Sequence, residues 1–282
     1  MTEAARTYCF ELVRQADKDR FLAALFAPEA VQPHLMALYA FNIEVARIRE
    51  MVSDPKLGEI RLAWWRDTIA GLFDGKPAEH PVAQALAPAI KAGSLPMQPF
   101  LGLIEGRQFD LYDDPMPTMG DLEGYLGETS SAIIQLAALI LAGPQARTLA
   151  EAAGLAGVAY GLTGLLRSLP VQRARGQCYV PKDFLARQGL TPAEWLSGRE
   201  KQKTAVVISE LCDHAARRLG EARVAAGAGL GAALPAFLPA SLTELYLRRI
   251  RKLGAEALTK GAEVSQLRRQ VTLYLNANKN MF

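Results

Sequence analysis

Cysteine and histidine are scarce in this chain, and their spacing excludes several common kinds of site. No two cysteines have CxxC spacing among the three that occur: Cys9, Cys178 and Cys212. This odd, scattered set excludes a disulfide framework and a zinc ribbon, and it is typical of a reducing compartment. The histidines are equally few and have no partner at i+3 or i+4 in a metal-ligand pattern: His34, His80 and His214.

Strong net charge and long apolar runs are also absent. A net charge of +3 is too small to indicate nucleic-acid binding, and a chain that is 50% hydrophobic is not disordered. The most apolar run, residues 132–142, contains Gln135 and is shorter than the roughly 20 residues that cross a bilayer, so it predicts a buried core helix. Glu3 and Glu11 do not suit a targeting peptide. We therefore expect a cytoplasmic protein.

Helical periodicity is present along almost the whole chain. Leu62, Trp65 and Ile69, for example, repeat at helical spacing. Breakers at the ends of such segments predict helices over residues 28–51, 57–73, 80–92, 97–112, 119–142, 145–168, 200–226, 233–253 and 263–276. Residues 176–195 are less regular and predict a loop with short helical turns. No linker divides the chain, so we expect one all-α domain over residues 1–282.

Four glycines lie on one face of the helix predicted over residues 145–168. They are spaced three, four and three residues apart: Gly154, Gly157, Gly161 and Gly164. Glycine costs about 1 kcal/mol of helix propensity relative to alanine at each position, so something should approach this face closely. Two interpretations stay open, which are tight packing against another helix and a narrow apolar cavity.

Two stretches of sequence carry a resemblance to a known family. The first is residues 38–50, LYAFNIEVARIRE, and the second is residues 161–170, GLTGLLRSLP, followed by RARGQCYVP at residues 173–181. Their order and spacing resemble the two signature regions of the squalene/phytoene synthase family, from about Arg20 to Arg249. The amino-acid sequence of the second stretch is similar to that found in the branch of the family that includes a mitochondrial complex I assembly factor.

The resemblance implies an all-α isoprenoid-synthase fold, a helical bundle around a central apolar cavity. Enzymes of this family condense two prenyl diphosphates head to head, and two aspartate-rich motifs hold Mg²⁺ at the mouth of the cavity. Magnesium is needed because diphosphate is a poor leaving group until its charge is neutralised, and carboxylate oxygens are the ligands that Mg²⁺ prefers.

The residues at the metal-binding positions depart from this pattern. The first motif has Ala46, Arg47 and Glu50, and the second has Gly164, Ser168 and Gln172. Only Glu50 keeps a carboxylate, and a guanidinium repels a divalent cation. We therefore predict that the chain holds no metal, and that the ionisation step is disabled.

Arg47 has two interpretations. It could form i, i+3 salt bridges on a solvated helix face, with Glu44 and with Glu50. Alternatively, Arg47 with Arg167 or Arg175 replaces the positive charge of the metal and binds an anionic head group directly.

Further ligand-binding candidates follow from the same resemblance. In active members the arginine and tyrosine that correspond to Arg175 and Tyr179 bind diphosphate and stabilise carbocations. The alternative is that here they have a structural role and hold the loop beneath the cavity. Tyr39 and Gly161 are candidate lining residues, and Tyr39 is equally compatible with a core aromatic. Asp110 and Tyr125 also align with family positions.

The segment Leu242 to Lys252 combines apolar residues with four basic residues in five positions, and it is either a docked helix or a contact with an anionic membrane.

Taken together, these features of the sequence favour a pseudoenzyme that acts like a complex I assembly factor or binds an apolar or prenyl lipid. Its expected partners are a respiratory-complex subunit and, peripherally, the inner membrane. The alternative is a Mg²⁺-dependent head-to-head prenyltransferase using farnesyl or geranylgeranyl diphosphate.

Overall fold

A computed structural model describes residues 2–227 and 229–282, and this part of the chain contains helices and no strand. The all-α prediction is confirmed. The α-helices are α1 Glu3–Ala16, α2 Lys18–Ala24, α3 Gln32–Ala46, α4 Ile48–Met51, α5 Pro55–Phe73, α6 Pro81–Gly93, α7 Gln98–Gly106, α8 Met119–Leu126, α9 Ala132–Ala142, α10 Ala150–Arg167, α11 Leu169–Arg175, α12 Lys182–Arg187, α13 Pro192–Ser197, α14 Lys201–Ala225, α15 Leu234–Phe237, α16 Thr243–Leu253 and α17 Gln266–Asn278.

Most predicted helices are present, but several of them are interrupted. The segment predicted over residues 28–51 breaks at Arg47, between α3 and α4. The segment over residues 233–253 is divided by the 3₁₀ turn Leu238–Leu242, which contains Pro239. Proline has no backbone N–H and cannot continue the hydrogen-bond ladder of an α-helix. A π-helical turn, Gly127–Ser131, joins α8 to α9.

Helix α3 forms the centre of one half of the core. Every residue from 35 to 45 is buried, so this helix is covered on all sides, as expected for a core helix. It packs against α1, α6 and α9. Trp65 and Phe100 contact the ring of Phe41 edge-on, with centroids 5.4 and 5.5 Å away.

Helix α10 forms the centre of the other half, where it packs along α14 and also contacts α8, α9 and α16. Leu162 and Leu166 of α10 meet Leu211 and Tyr246 in a second apolar cluster. The side of α10 that bears Gly161 and Gly164 lines a polar cavity between the two halves of the core.

The helical stretch Met119–Arg167 contains one window that is long and apolar enough to cross a membrane. Only its length and composition are those of a membrane-spanning helix, and 56% of that window is buried inside the protein. Within it, α9 buries Ile133, Ile134 and Leu136 in the core. The packing therefore agrees with the core helix that the sequence predicts at residues 132–142.

Candidate functional site

A cavity of about 580 Å³ lies where α2, α3, α8, the π turn, α10 and α17 meet. Its lining is mostly polar and includes Asp17, Lys18, Asp19, Arg20, Asn42, Arg107, Tyr125, Thr129, Ser130, Tyr160, Gly161, Gly164, Arg167, Glu263 and Arg269. Five of these side chains are cationic and three are carboxylates. The cavity therefore carries an excess of positive charge.

Four buried polar atoms of lining residues have no hydrogen-bond partner within the part of the chain that the structure describes. They are Asn42 Oδ1, Arg107 Nε, Ser130 Oγ and Arg269 Nε. Asn42 and Ser130 are each only 7% exposed. Because an unpaired buried polar group costs about 1–3 kcal/mol, such groups at a cavity wall indicate a site for a polar ligand.

Asp19 joins four helices at one wall of the cavity. Its carboxylate accepts hydrogen bonds from Tyr246 Oη at 2.7 Å and from Arg269 Nη1 at 2.7 Å. Arg167 Nη1 lies 3.4 Å from the same carboxylate, and its guanidinium stacks 3.8 Å from the centroid of the Tyr246 ring. Burial raises the pKa of Tyr246, which keeps its hydroxyl a donor. The ion pairs hold α2, α10 and α17 together and orient two arginines.

A second carboxylate, Asp110, positions two of the lining residues, Arg107 and Tyr125. Its oxygen accepts from Tyr125 Oη at 2.8 Å and from Tyr179 Oη at 2.6 Å, and Arg107 Nη1 donates to the other oxygen at 3.0 Å. Burial, then the charge of Asp110, raises the pKa of Tyr179, so that hydroxyl remains protonated. Asp110 thereby positions Arg107, which lines the cavity.

Arg20, another residue that lines the cavity, is close to two aromatic rings. Its guanidinium is 5.0 Å from the centroid of Tyr160 and 5.8 Å from that of Tyr39, and it pairs with Asp17 at 2.7 Å. Although burial alone would lower the pKa of Arg20, the charge of Asp17 raises it. Tyr39 is only 1% exposed and lies in the core next to this arginine.

The first motif does not face the cavity. Arg47 turns back on its own helix and donates to Glu44 at 2.7 Å, as one of the two interpretations predicts. The second expected pair does not form, because Glu50 accepts instead from Arg175 at 3.0 Å. The structure therefore brings Arg175 to Glu50, and neither Arg47 nor Arg175 lines the cavity.

The second motif is divided between the cavity and its own helix. Gly164 lines the cavity. Ser168 Oγ accepts a hydrogen bond from Gln172 Nε2 at 2.8 Å, and Gln172 also donates to the carbonyl of Leu165 at 2.6 Å. These two polar side chains satisfy each other beneath the end of α10, whereas the preceding residue, Arg167, faces the cavity.

The motif residues do not fit a magnesium cluster. Glu50 is paired with Arg175, Ser168 is paired with Gln172, and Ala46 and Gly164 have no ligand atom in their side chains. Among residues 2–227 and 229–282, no group of three or more His, Cys, Asp or Glu side chains could hold a metal ion. The carboxylates that do line the cavity are occupied in part, because Asp17 and Asp19 already pair with arginines.

The character of the cavity differs from the apolar one that we expected. The space among Leu122, Leu162, Leu166 and Tyr179 measures only about 10 Å³. One water molecule already requires about 10–15 Å³, so this space has no room for a prenyl chain. Side chains therefore fill this leucine-lined space, and of the two spaces the arginine-lined one is the larger.

The glycine face of α10 packs closely against its neighbours, as the first of the two interpretations predicts, and the cavity that it borders is polar, not the apolar one of the second. A Cβ atom added at Gly157 would overlap the backbone of Ser131, and one added at Gly161 would meet Ser130. Close packing therefore explains the middle of the stripe, where α10 meets the π turn. Gly161 and Gly164 also lie on the cavity wall.

We expect opposite effects from two alanine substitutions on this face. Gly157→Ala should lower the free energy of unfolding by about 2 kcal/mol, because the Ser131 backbone cannot move aside cheaply. Gly154→Ala meets no atom within 4 Å, so it should raise stability by about 0.5–1 kcal/mol through helix propensity alone. Urea unfolding of both variants checks this, and a stabilised Gly157→Ala protein would contradict the packing.

The three cysteines are free, in agreement with the absence of a disulfide framework expected from the sequence, and the structure buries each of them. Burial raises the pKa of Cys178 to about 11 and that of Cys212 to about 12. Thiols of this kind are almost entirely protonated at neutral pH and are poor nucleophiles.

This arrangement of helices is the isoprenoid-synthase fold, and comparison with known proteins supports that conclusion. Squalene synthase HpnC from Alicyclobacillus acidocaldarius superposes with a TM-score of 0.78 at 24% identity, over 89% of this chain and 94% of that one. A dehydrosqualene synthase in complex with ligand superposes with a TM-score of 0.84 at 20% identity, over 98% and 96% of the two chains.

The family model described as squalene/phytoene synthase matches residues 13–273, and the chain belongs to that family. Among curated proteins, it is 28% identical over 270 residues to a Rattus norvegicus protein named NADH dehydrogenase (ubiquinone) complex I, assembly factor 6. That alignment covers 96% of this chain and 81% of the rat protein. The predicted resemblance to this branch of the family is confirmed.

Several cavity residues were not singled out from the sequence. They are Asp19, Arg20, Asn42, Arg107, Ser130 and Arg269. Asn42 could have been predicted as a site residue, because it is a polar residue within a mostly apolar helical segment. Arg269 could not, since it is distant in sequence from both motifs and enters the site only through the packing of α17.

Proposed function

We propose that this chain is a non-catalytic member of its family that assists the assembly of a respiratory NADH dehydrogenase, complex I. The rat protein that it resembles is named as an assembly factor of that complex. Because the alignment covers 96% of this chain, it includes the cavity and both motif regions. The proposed partner is a subunit or assembly intermediate of that complex, met at the membrane.

The observation that carries the non-catalytic part is the placement of arginines around the cavity. Arg20, Arg107, Arg167 and Arg269 line it, while the metal-binding positions hold groups that cannot serve as a carboxylate cluster. A guanidinium cannot lose its proton to become a ligand, and it repels Mg²⁺. We propose that no metal is required.

In this proposal the cavity binds the anionic head group of a phosphorylated lipid directly. Arginines donate paired hydrogen bonds to phosphate oxygens and remain charged at every physiological pH. The unpartnered atoms of Asn42 and Ser130 supply further polar contacts on the same wall. The acyl or prenyl chain would extend from the mouth of the cavity, because side chains fill the leucine-lined space.

The competing function is a Mg²⁺-dependent prenyltransferase. The fold favours it, and so do the three carboxylates at the cavity, Asp17, Asp19 and Glu263. Two of them are already paired with arginines. Removing those pairs to bind a metal would leave buried guanidinium groups without a counter-charge.

We expect no turnover when the purified protein is incubated with farnesyl or geranylgeranyl diphosphate, Mg²⁺ or Mn²⁺, and a nicotinamide reductant. Diphosphate release and lipid products would both be followed, beside an active synthase of the family. Release at a rate typical of an enzyme would overturn the non-catalytic proposal and establish the prenyltransferase.

The assembly role is tested separately in the organism that makes this protein. Deletion of its gene should lower the amount of fully assembled NADH dehydrogenase on native gels, and the wild-type gene should restore it. Unchanged assembly in the deletion strain would reject the assembly role while leaving the turnover result to stand by itself.

A further inference from the structure

Helix α17 exposes its apolar side to the surroundings. Leu267, Val271, Tyr274 and Leu275 recur at helical spacing on one face, and Leu267 and Tyr274 are 70% and 58% exposed. The opposite side of the helix buries only Leu273 and carries Arg269. An amphipathic helix normally buries its apolar face, so the orientation of α17 indicates that something outside the described chain covers it.

The end of α2 extends this apolar face. Leu25 and Phe26 are exposed, and they line a groove of about 290 Å³ together with Leu273 and Tyr274. We call the six exposed residues the α17 face: Leu25, Phe26, Leu267, Val271, Tyr274 and Leu275. The face is continuous across two helices, which makes it larger than a single exposed side chain.

The charges near this face favour an anionic partner. On the α17 side of the face, residues 264–282 contain no carboxylate side chain, and both Arg268 and Lys279 are exposed there. On the α2 side, the exposed carboxylate Glu29 follows Phe26 by three residues. Another exposed apolar stripe, Leu57, Ile60 and Trp64 on α5, lies on a helix whose cations, Lys56, Arg61 and Arg66, are accompanied by two carboxylates, Glu59 and Asp67. Exposed apolar residues on a helix that carries cations and no carboxylate, as on α17, are typical of helices that lie in the interface of an anionic bilayer.

The basic segment Leu242 to Lys252 lacks such an apolar surface. Leu242, Tyr246, Leu247 and Ile250 are buried in the core, and Arg251 pairs with Asp213 at 2.7 Å. This segment therefore matches the docked helix, one of the two interpretations considered from the sequence. Membrane contact through it would have to rely on exposed arginines alone.

We propose that the α17 face lies on the surface of an anionic phospholipid bilayer, with Arg268 and Lys279 at the head-group level. Burial of the exposed leucine, valine and aromatic side chains supplies the apolar part of the binding, and the cations add electrostatic attraction. The inference does not depend on the proposed function.

The same two helices form a wall of the cavity on their inner side. Asp17, Asp19 and Arg20 of the α2 segment and Arg269 of α17 line the cavity, while Leu25, Phe26 and Tyr274 face outward. A bilayer on the α17 face would therefore bring the arginine-lined cavity close to the lipid head groups.

The test is flotation of the full-length protein with vesicles of phosphatidylcholine, alone or mixed with phosphatidylglycerol. We expect binding to the mixed vesicles, and weaker binding to phosphatidylcholine alone or in high salt. The triple variant Leu267→Gln, Val271→Gln, Tyr274→Ser should lower the partition coefficient by about tenfold or more. The matched control, Leu57→Gln, Ile60→Gln, Trp64→Ser, removes an equally exposed stripe on α5 and should bind like the wild type.

Several outcomes would overturn the proposal. The first is that the α17 variant binds vesicles as strongly as the wild type, and the second is that the α5 variant loses as much binding as the α17 variant. The third is that the wild-type protein does not bind vesicles and forms a dimer through α17. Circular dichroism and thermal melting establish that each variant is folded. A second measurement needs no disruptive change, because Tyr274→Trp should show fluorescence quenching by lipids with brominated acyl chains. Absence of that quenching with bound vesicles would also contradict the proposal.

Discussion

Asp19→Asn is expected to lower the free energy of unfolding by about 3 kcal/mol, or roughly 150-fold in the unfolding equilibrium. The Asp19 carboxylate is 3% exposed and faces two arginines and a tyrosine hydroxyl. Asparagine keeps the size of the side chain but removes its charge. Arg269, which is largely buried, then loses its only counter-charge within the described chain.

Urea unfolding measures this change in the free energy of unfolding. If the slope of that free energy against urea concentration is unchanged, the denatured state is unaffected. The matched control is Asp113→Asn, because Asp113 is exposed and pairs with Arg49 at 3.5 Å. Exposed pairs contribute about 0–1 kcal/mol, so the control should remain close to the wild type. Equal effects of the two substitutions would mean that Asp19 does not hold the helices as described.

Arg167→Gln is expected to weaken the binding of inorganic pyrophosphate by about 10- to 100-fold. Hydrogen bonds to charged groups contribute about 1.5–3 kcal/mol, and Arg167 is one of four arginines on the cavity wall. Glutamine can still donate to Asp19, which limits the loss of stability. Calorimetry in EDTA and in Mg²⁺ checks both the affinity of the site and its independence of metal.

Arg47→Gln is the matched control for this experiment. Its guanidinium is paired with Glu44 and does not line the cavity, so pyrophosphate binding should not change. Loss of binding in this variant would return Arg47 to the site that the sequence suggested. Pyrophosphate binding that requires Mg²⁺ would contradict the metal-free proposal and favour the prenyltransferase.

The fold class and the family can both be predicted from local features of the sequence. The periodicity of Leu62, Trp65 and Ile69 is local information, and it predicts a helix because both the backbone ladder and the apolar stripe involve residues a few positions apart. The two signature stretches are likewise continuous in the chain. The same local information showed which side chains stand at the metal-binding positions.

Which charged groups meet depends on how the helices pack and cannot be predicted from local sequence. Arg269 and Asp19 are 250 residues apart, and Tyr179 reaches Asp110 across 69 residues. Nothing in the local spacing of these residues predicts such contacts, because the packing angles of whole helices bring them together. For the same reason Arg47 and Arg167 separated, one turning back to Glu44 and the other facing the cavity. The sequence specifies the type of each side chain. Its counter-charge and its exposure depend on the packing of helices that are far apart in the sequence.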